Sequence, residues 1–357
     1  MAQQRFEVKQ TGFDQWRLSD ESAASLTEGE VRLAVDFFAF TANNMTYAAA
    51  GDMLGYWKFF PVAGEGGFGV IPVWGFATVT ESLCEELPVG ERLYGYFPPA
   101  DELVIKPAQV SGSALFDATE HRQALPPLYN RYQRVGAASE QSRGPEMLQA
   151  LLGPLYMTGY CLWDMIAENG YYGASQIVVV SASSKTSLGL AQALTDDDNA
   201  PATVGLTSGR NVAFVEKTGL YTSALAYDDV DSLVQETTVV VDMAGNPATA
   251  AALRSRLGDK LAKYVNVGLT HWDAAATGAG EGGEDAEFFF APSYILERSA
   301  SLADFNHLAQ AFVASGAAKA SGWLTVENVQ GLEAFSGRYP AICAGDMDPS
   351  TGLICEL

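Results

Sequence analysis

Positive charge is scarce in this chain. Its 357 residues include 21 Lys and Arg against 43 Asp and Glu, a formal net charge of −22 with His neutral. A field of that sign repels nucleic acid and anionic membrane, so neither is expected as a partner. The charge is read as a solubility feature, and any phosphate site must be a local basic exception. Cysteine is scarcer still. Cys84, Cys161, Cys343 and Cys355 are scattered and form no C-x-x-C pair, which argues against a zinc clip and a disulfide framework. His121, His271 and His307 are far apart. No G-x-S-x-G or H-E-x-x-H occurs, and residue 182 is Ala, so no S-x-x-K ends at Lys185. Hydrolase and metalloprotease readings therefore lack a motif. No apolar run approaches about 18 residues, so no membrane span is predicted. The opening MAQQRFEVKQ has no apolar signal region. A soluble, reducing, cytoplasmic setting is expected.

What the chain does contain is enough apolar material, 48% of residues, to bury a sizeable core. Its length suggests two domains. The stretch QIVVVSASSKTSLGLAQAL, from Gln176 to Leu194, organises the rest. Ile177 to Val180 is a β-branched buried-strand run. Ser181 to Ser187 is a small polar turn, and Leu188, Ala191 and Leu194 recur at helical spacing. Strand, tight turn and helix is how a dinucleotide-binding unit begins. A helix N-terminus favours a phosphate through its unpaired N–H groups and its dipole. The usual glycines are mostly missing, and Ser181, Ser183, Ser184 and Thr186 offer hydroxyls in their place, with Lys185 a point charge. The alternative is an ordinary capped helix after a core strand.

Residues 1 to 110 read as short strands separated by Gly and Pro, as in a β-barrel-like unit. Val31, Leu33, Val35 and Phe37 alternate. PVWGFATVT (72–80), ERLYGYF (91–97) and Leu103 to Ile105 follow. The arginine-bearing stretch from 111 to 147 reads as a solvated connector with a short helix, or as a lid or oligomer contact. Pro154 is a predicted helix start, with Leu155, Thr158, Leu162, Met165 and Ile166 on one face. Beyond the central stretch, strands are predicted at Ala202–Leu206, Thr238–Val241 and Tyr264–Val267. Helices are predicted from Asn211, along the Leu253, Leu257, Leu261 stripe, and along Leu302, Phe305, Leu308, Ala309 and Phe312. That alternation implies a parallel sheet covered on both faces. The acidic, glycine-rich stretch 273–287 reads as a loop. GDMDPSTG, around Asp346 and Asp348, reads as a turn, since its sixth position is Thr351 where a calcium loop needs glycine.

Several local phrases resemble the medium-chain dehydrogenase/reductase superfamily, in particular its zinc-free quinone and enoyl reductases. PVGERLYG (88–95) is similar to its "vGDRVyG" strand and Met157-Thr158-Gly159-Tyr160 to its "TAY" helix segment. VVVSASSKTSLGLA stands where the superfamily has "VLVxGAsGGVGLAA", and KYVNVG (263–268) resembles its "GRiVxiG" strand. MTYAAAGDMLGYW, IPVWGFA and SASSKT are similar to an uncharacterised, domain-of-unknown-function branch. The resemblance implies an α/β chain. A GroES-like β-barrel domain (1–150 plus 318–357, the tail returning to it) would accompany a Rossmann-type doubly wound parallel-sheet domain (151–317). It further implies a homodimer acting on a small-molecule substrate. Against the superfamily pattern, Ser181, Ser184 and Lys185 replace glycines. The third glycine falls on Ser187, with Gly189 two places on. After Phe40 there is no Cys or His where a catalytic zinc would need one, so no zinc is expected.

The resemblance also assigns roles. Thr158, Ser181, Ser183, Ser184, Lys185, Thr186, Ser208, Arg210, Lys217 and Gly268 would bind the cofactor. About 20 residues past the fingerprint an NAD-selecting acid is expected; Thr207-Ser208-Gly209-Arg210-Asn211 stands there instead. Arg210, backed by Lys217, would pair with an adenosine 2′-phosphate, so the cofactor expected is NADPH. Enoyl reductases of the superfamily carry "NPxD…GxY" on the substrate side. Asn43 and Gly51 fit that pattern, Thr46 stands in the acid's place, and Tyr56 is near the tyrosine's, with Tyr47 the other candidate acid. Trp57, Phe59, Phe60 and Trp74 would wall an apolar pocket or pack a core. The competing reading is a non-redox descendant of the fold, a binding protein or a cofactor-independent enzyme.

Overall fold

Alternating burial at Val31, Leu33, Val35 and Phe37 forms the strand on which the N-terminal unit is assembled. The computed structural model describes residues 3–22, 24–64, 66–267 and 286–357. Gly268, His271 and the glycine-rich stretch up to residue 285 lie outside them. The chain divides into two units, Met1–Leu151 with Thr325–Leu357, and Leu152–Leu324.

In chain order the first unit supplies β1 (Gln3–Lys9), β2 (Gly12–Glu21), β3 (Val31–Phe40), helix α1 (Ala42–Ala49), β4 (Phe68–Gly69) and β5 (Val73–Ser82). There follow β6 (Arg92–Phe97), β7 (Glu102–Ile105), β8 (Pro107–Ala108), β9 (Ala114–Asp117), β10 (Arg131–Val135) and helix α2 (Glu140–Glu168), which runs on into the second unit. That unit continues with β11 (Gln176–Val180), α3 (Lys185–Thr195), β12 (Ala202–Thr207), α4 (Val212–Thr218), β13 (Ser223–Ala226), β14 (Thr238–Asp242) and α5 (Pro247–Leu257). It closes with β15 (Leu261–Val267), β16 (Ala286–Phe289), α6 (Ala291–Ser301) and α7 (Phe305–Ala320). The tail returns to the first unit as β17 (Thr325–Gln330), α8 (Gly331–Cys343) and β18 (Thr351–Glu356).

Among the described residues, the first unit holds a small β2-β1-β4 sheet and a mixed sheet of order β17-β18-β3-β5-β6-β10-β9-β8, with β7 also on β3. The tail strand β18 pairs antiparallel with β3 and parallel with β17. In the second unit the order is β13-β12-β11-β14-β15-β16, with every pair parallel.

Four expectations are corrected. The stretch 111–147 is not a solvated connector: it contains β9 and β10, and Arg122 between them is only 1% exposed. The arginine is tolerated there because its fork is satisfied on all sides. It pairs with Asp117 (2.9 Å) and donates to Tyr132 Oη (2.9 Å), to the Tyr129 carbonyl (2.7 Å) and to Asn130 Oδ1 (3.0 Å). Pro154 does not start a helix but lies inside α2. The start is fixed upstream, where the Ser139 and Ser142 side chains each accept the other's backbone N–H. Leu261 is not on the α5 stripe; α5 stops at Leu257 before Gly258, and Leu261 opens β15. The Leu302–Phe312 helix is two helices, with Leu302 at the break and Leu308 46% exposed. The tail carries the 13-residue α8.

Two glycines set the approach of α3 to α2. A Cβ on Gly159 would lie 2.4 Å from the Leu190 amide nitrogen, and one on Gly189 would lie 3.0 Å from Tyr156 Cα. Gly189 thus does the close-packing work of a fingerprint's third glycine, two residues later than the aligned position.

Removing the Arg122 charge strands Asp117, itself buried. Arg122→Met should therefore cost about 3–5 kcal/mol of stability, read by denaturant unfolding.

Candidate functional site

Counted from β11, the parallel sheet has the order 3-2-1-4-5-6, the dinucleotide-binding arrangement. Strand order reverses between β11 and β14, so the ligand crevice of such a sheet opens at their carboxyl ends. Those ends carry Ser181 and Asp242. Ser181 adopts φ 62°, the left-handed region that glycine normally fills. For a serine this costs about 1–2 kcal/mol, and neighbours hold it there. Burial raises the pKa of the Tyr227 hydroxyl, and Ser181 beside it offsets part of that rise. Tyr221 Oη donates to the Ala182 carbonyl (2.9 Å), and the Ala182 amide donates to the Leu206 carbonyl (3.1 Å). Glycine is absent at this position, but the backbone keeps the shape that glycine normally gives.

The next residues are held to the turn itself. Ser183 Oγ accepts from Thr207 Oγ1 (3.2 Å) and Asn211 Nδ2 (3.1 Å), which ties the β11–α3 turn to the end of β12. Ser184 caps α3, accepting the Ser187 amide (3.2 Å) and donating to Ser187 Oγ (2.9 Å). Lys185 and Thr186 form the first turn of α3 and are half-buried. Ser208 is half-buried, and Arg210 is exposed in the short turn Gly209–Asn211. Lys217 is exposed in the last turn of α4. Thr158 donates to the Pro154 carbonyl (3.0 Å) within α2. The structure thus brings Ser181–Thr186 together with Ser208 and Arg210 through Asn211. Gly268 lies outside the described residues. Asp242, buried, accepts the Ala244 and Gly245 amides (2.8 and 2.9 Å) and Tyr264 Oη (2.7 Å). Tyr221 and Asn211 were not among the expected site residues; each acts through a side-chain bond to a segment distant in sequence, which local pattern does not register.

In the first unit, a reciprocal Thr41–Asn44 capping box starts α1 and aims Tyr47 inward. Gly55, at φ 75°, turns the chain so that Tyr56 enters the core. Tyr47 and Tyr56 are 6% and 4% exposed, with ring centroids 4.7 Å apart. Trp74 Nε1 donates to Tyr47 Oη (3.2 Å), and the Tyr56 and Tyr129 hydroxyls are 2.9 Å apart. Burial pushes both candidate tyrosines above their ordinary pKa, for Tyr56 with the added repulsion of Tyr47. Both therefore stay protonated as donors. Phe59, Phe60 and Trp74 surround Tyr96. Trp57 instead packs on Gly51, where a Cβ would be 2.0 Å from its Nε1, and on Gly69. Among the described residues, no three His, Cys, Asp or Glu side chains come together as a metal-holding group.

Residues 38–348 match the model of the family described as "Protein of unknown function (DUF2855)". The chain belongs to the DUF2855 family. Curated protein sequences provide no match. Among solved structures, this DUF2855 chain is similar to the CurK enoyl reductase at a TM-score of 0.60, with 10% identity and 99% of each chain covered. CurA from Vibrio vulnificus, solved in complex with NADPH, is similar at a TM-score of 0.60, with 11% identity, 99% of this chain and 98% of that one covered. The quinone oxidoreductase from Coxiella burnetii is similar at a TM-score of 0.60 and 11% identity over 100% of both chains. The DUF2855 chain therefore has the two-domain α/β fold of medium-chain dehydrogenases/reductases. No helix among its described residues is long and apolar enough to cross a membrane.

The turn geometry sets an order of tolerance at residue 181. Ser181→Gly should stay within about 1 kcal/mol of the parent, because glycine accepts φ 62°. Ser181→Val should lose more than Ser181→Gly, by about 1–2 kcal/mol, in the same thermal-unfolding series.

Proposed function

We propose that this chain is a zinc-independent, NADPH-dependent reductase of a small carbonyl-conjugated alkene, quinone or ketone. The observation that carries the reading is the left-handed Ser181 turn, at the strand-order reversal of a 3-2-1-4-5-6 sheet and ahead of a capped helix. A glycine-type backbone ahead of a capped helix supports a diphosphate there, with Ser181, Ser184 and Lys185 side chains standing where glycines would leave room. The neighbouring folds support it, one being solved with NADPH and others named enoyl reductase or quinone oxidoreductase.

In this reading the N-terminal amides of α3 and Lys185 hold the diphosphate, since Ser183 and Ser184 spend hydroxyl bonds on the turn. Arg210 and Lys217 select the 2′-phosphate. The bound nicotinamide would supply the hydride. Tyr56, with the Tyr129 hydroxyl behind it, is the preferred proton donor, and Tyr47 is the other candidate. The second reading, a descendant that has lost nicotinamide, draws on the same inward bonds of Ser183 and Ser184.

Titration with NADPH, followed by cofactor fluorescence, separates the two. Saturable NADPH binding, weaker NADH binding and a roughly tenfold loss of that preference in Arg210→Ala are expected. Absence of binding by either cofactor at millimolar concentration would sink the reductase reading. Metal analysis of the purified chain is expected to find no stoichiometric zinc.

A further inference from the structure

The aromatic cluster of the first unit holds a buried hydroxyl without a hydrogen-bond partner among the described residues. Tyr96 is fully buried at its centre, with ring centroids of Tyr129 at 4.8 Å, Trp74 at 5.2 Å, Phe59 at 5.4 Å, Tyr47 at 5.6 Å and Phe60 at 6.2 Å. The Tyr96 hydroxyl oxygen, itself buried, has no hydrogen-bond partner among the described residues. A buried, unmatched hydroxyl is costly, and fully packed cores seldom keep one. Tyr47 receives the Trp74 indole N–H. The Tyr56–Tyr129 bond consumes one proton of the two that this pair carries. No carboxylate among the described residues is bonded to any of these hydroxyls.

We propose that Tyr47, Tyr56 and Tyr96 form a binding site for an aryl or enol oxyanion, a phenolate-type oxygen on a flat ring. The Tyr47 ring lies 4.7 Å from that of Tyr56 and 5.6 Å from that of Tyr96, centroid to centroid, and Phe59, Phe60, Trp74 and Tyr129 supply flat apolar walls for the ligand's ring. Asn43 and Trp74 are the half-buried members through which the cluster meets its surroundings. The charge must come from the ligand, not from the protein. Burial, then the repulsion of Tyr47, Tyr56 and Tyr129, hold the Tyr96 hydroxyl well above its ordinary pKa, and Tyr47 and Tyr56 are raised as well. The Arg122 guanidinium, which favours negative charge nearby, has its own charge matched by Asp117. Preorganised hydroxyls in a water-poor site are the donors that stabilise such an oxygen. As the substrate pocket of a reductase, this site rests on the reading above; as a phenolate site, it stands without the nicotinamide.

The test uses the full chain with no nicotinamide present. Purified protein is titrated with 4-nitrophenol, at a pH where the phenol is ionised, and with 4-nitroanisole, which has the same ring but no ionisable oxygen. Saturable binding with a shifted absorption band is expected for the phenolate, and roughly tenfold or more weaker binding for the anisole. Tyr96→Phe and Tyr56→Phe should each weaken the phenolate by roughly tenfold or more. Tyr96→Phe should unfold at the parent temperature or above it, because it gives up no internal hydrogen bond. The proposal is overturned by absent or non-saturable binding, by equal affinity for the anisole, or by unchanged affinity in both variants. It is overturned equally by a markedly lower unfolding temperature of Tyr96→Phe, which would make that hydroxyl structural. A chain that binds phenolate but no NADPH keeps this site and loses the reductase reading; the reverse result loses only the site.

Discussion

Backbone hydrogen bonds on both sides of β11, in register with β12 from Gln176↔Ala202 and with β14 from Gln176↔Thr238, set the layout of the second unit. All five residues of β11 are buried: Ile177–Val180 are apolar, Gln176 donates to the Val234 carbonyl and to Thr238 Oγ1, and both faces of the strand are covered. Parallel neighbours on both sides leave the chain one place to turn, beyond Val180. There the helix must start close by, and the α2–α3 approach at Gly159 and Gly189 requires bare backbone. The left-handed Ser181, the Tyr221 brace on Ala182 and the serine cap are what this forced exit looks like when glycine is not used. A strained residue kept in place by surrounding bonds is the usual mark of a site under functional constraint.

The first unit solves a different problem. Its sheets enclose a dense set of aromatic rings in which hydroxyls, an indole N–H and one guanidinium are buried together. Arg122 can be there because each edge of its fork has an oxygen and one of those oxygens is charged. The tyrosines differ: burial raises the pKa of each, and for Tyr56, Tyr96 and Tyr129 the neighbouring tyrosines raise it further. A core assembled this way rigidly positions protons without ever becoming anionic. That property suits chemistry in which negative charge appears transiently on a bound oxygen.

The architecture was largely legible in the residues, and the reasons are local. Ile177–Val180, Thr238–Val241 and Tyr264–Val267 are β-branched or aromatic runs with turn signals beside them, and each is a strand. Val31–Phe37 alternates and is a strand with one side in the core. The misreadings share a cause. Around Arg122 a charge-rich segment suggested solvent, because nothing local discloses that Asp117, Asn130 and Tyr132 will converge on one guanidinium. Pro154 suggested a helix start, because the Ser139–Ser142 pair that begins α2 lies well upstream of the apolar face. At the site, the residues of the turn were visible, but the partners of Ser183 (Thr207 and Asn211) and of Ala182 (Tyr221) come from the following strands and loops. Tyr129 stood in the stretch read as a connector, so its meeting with Tyr56 was hidden. Periodicity reports which face is buried; it does not report which two polar side chains will meet.

The return of the tail has a consequence for how the protein is made. β18 lies between β3 and β17 in the mixed sheet, yet it is synthesised after the entire second unit. On the ribosome, Leu152–Leu324 can close while β3 still has an uncovered edge. The unit begun first is therefore completed last, and until Thr351–Glu356 arrives β3 keeps an unpaired edge of the kind that invites pairing with a neighbour.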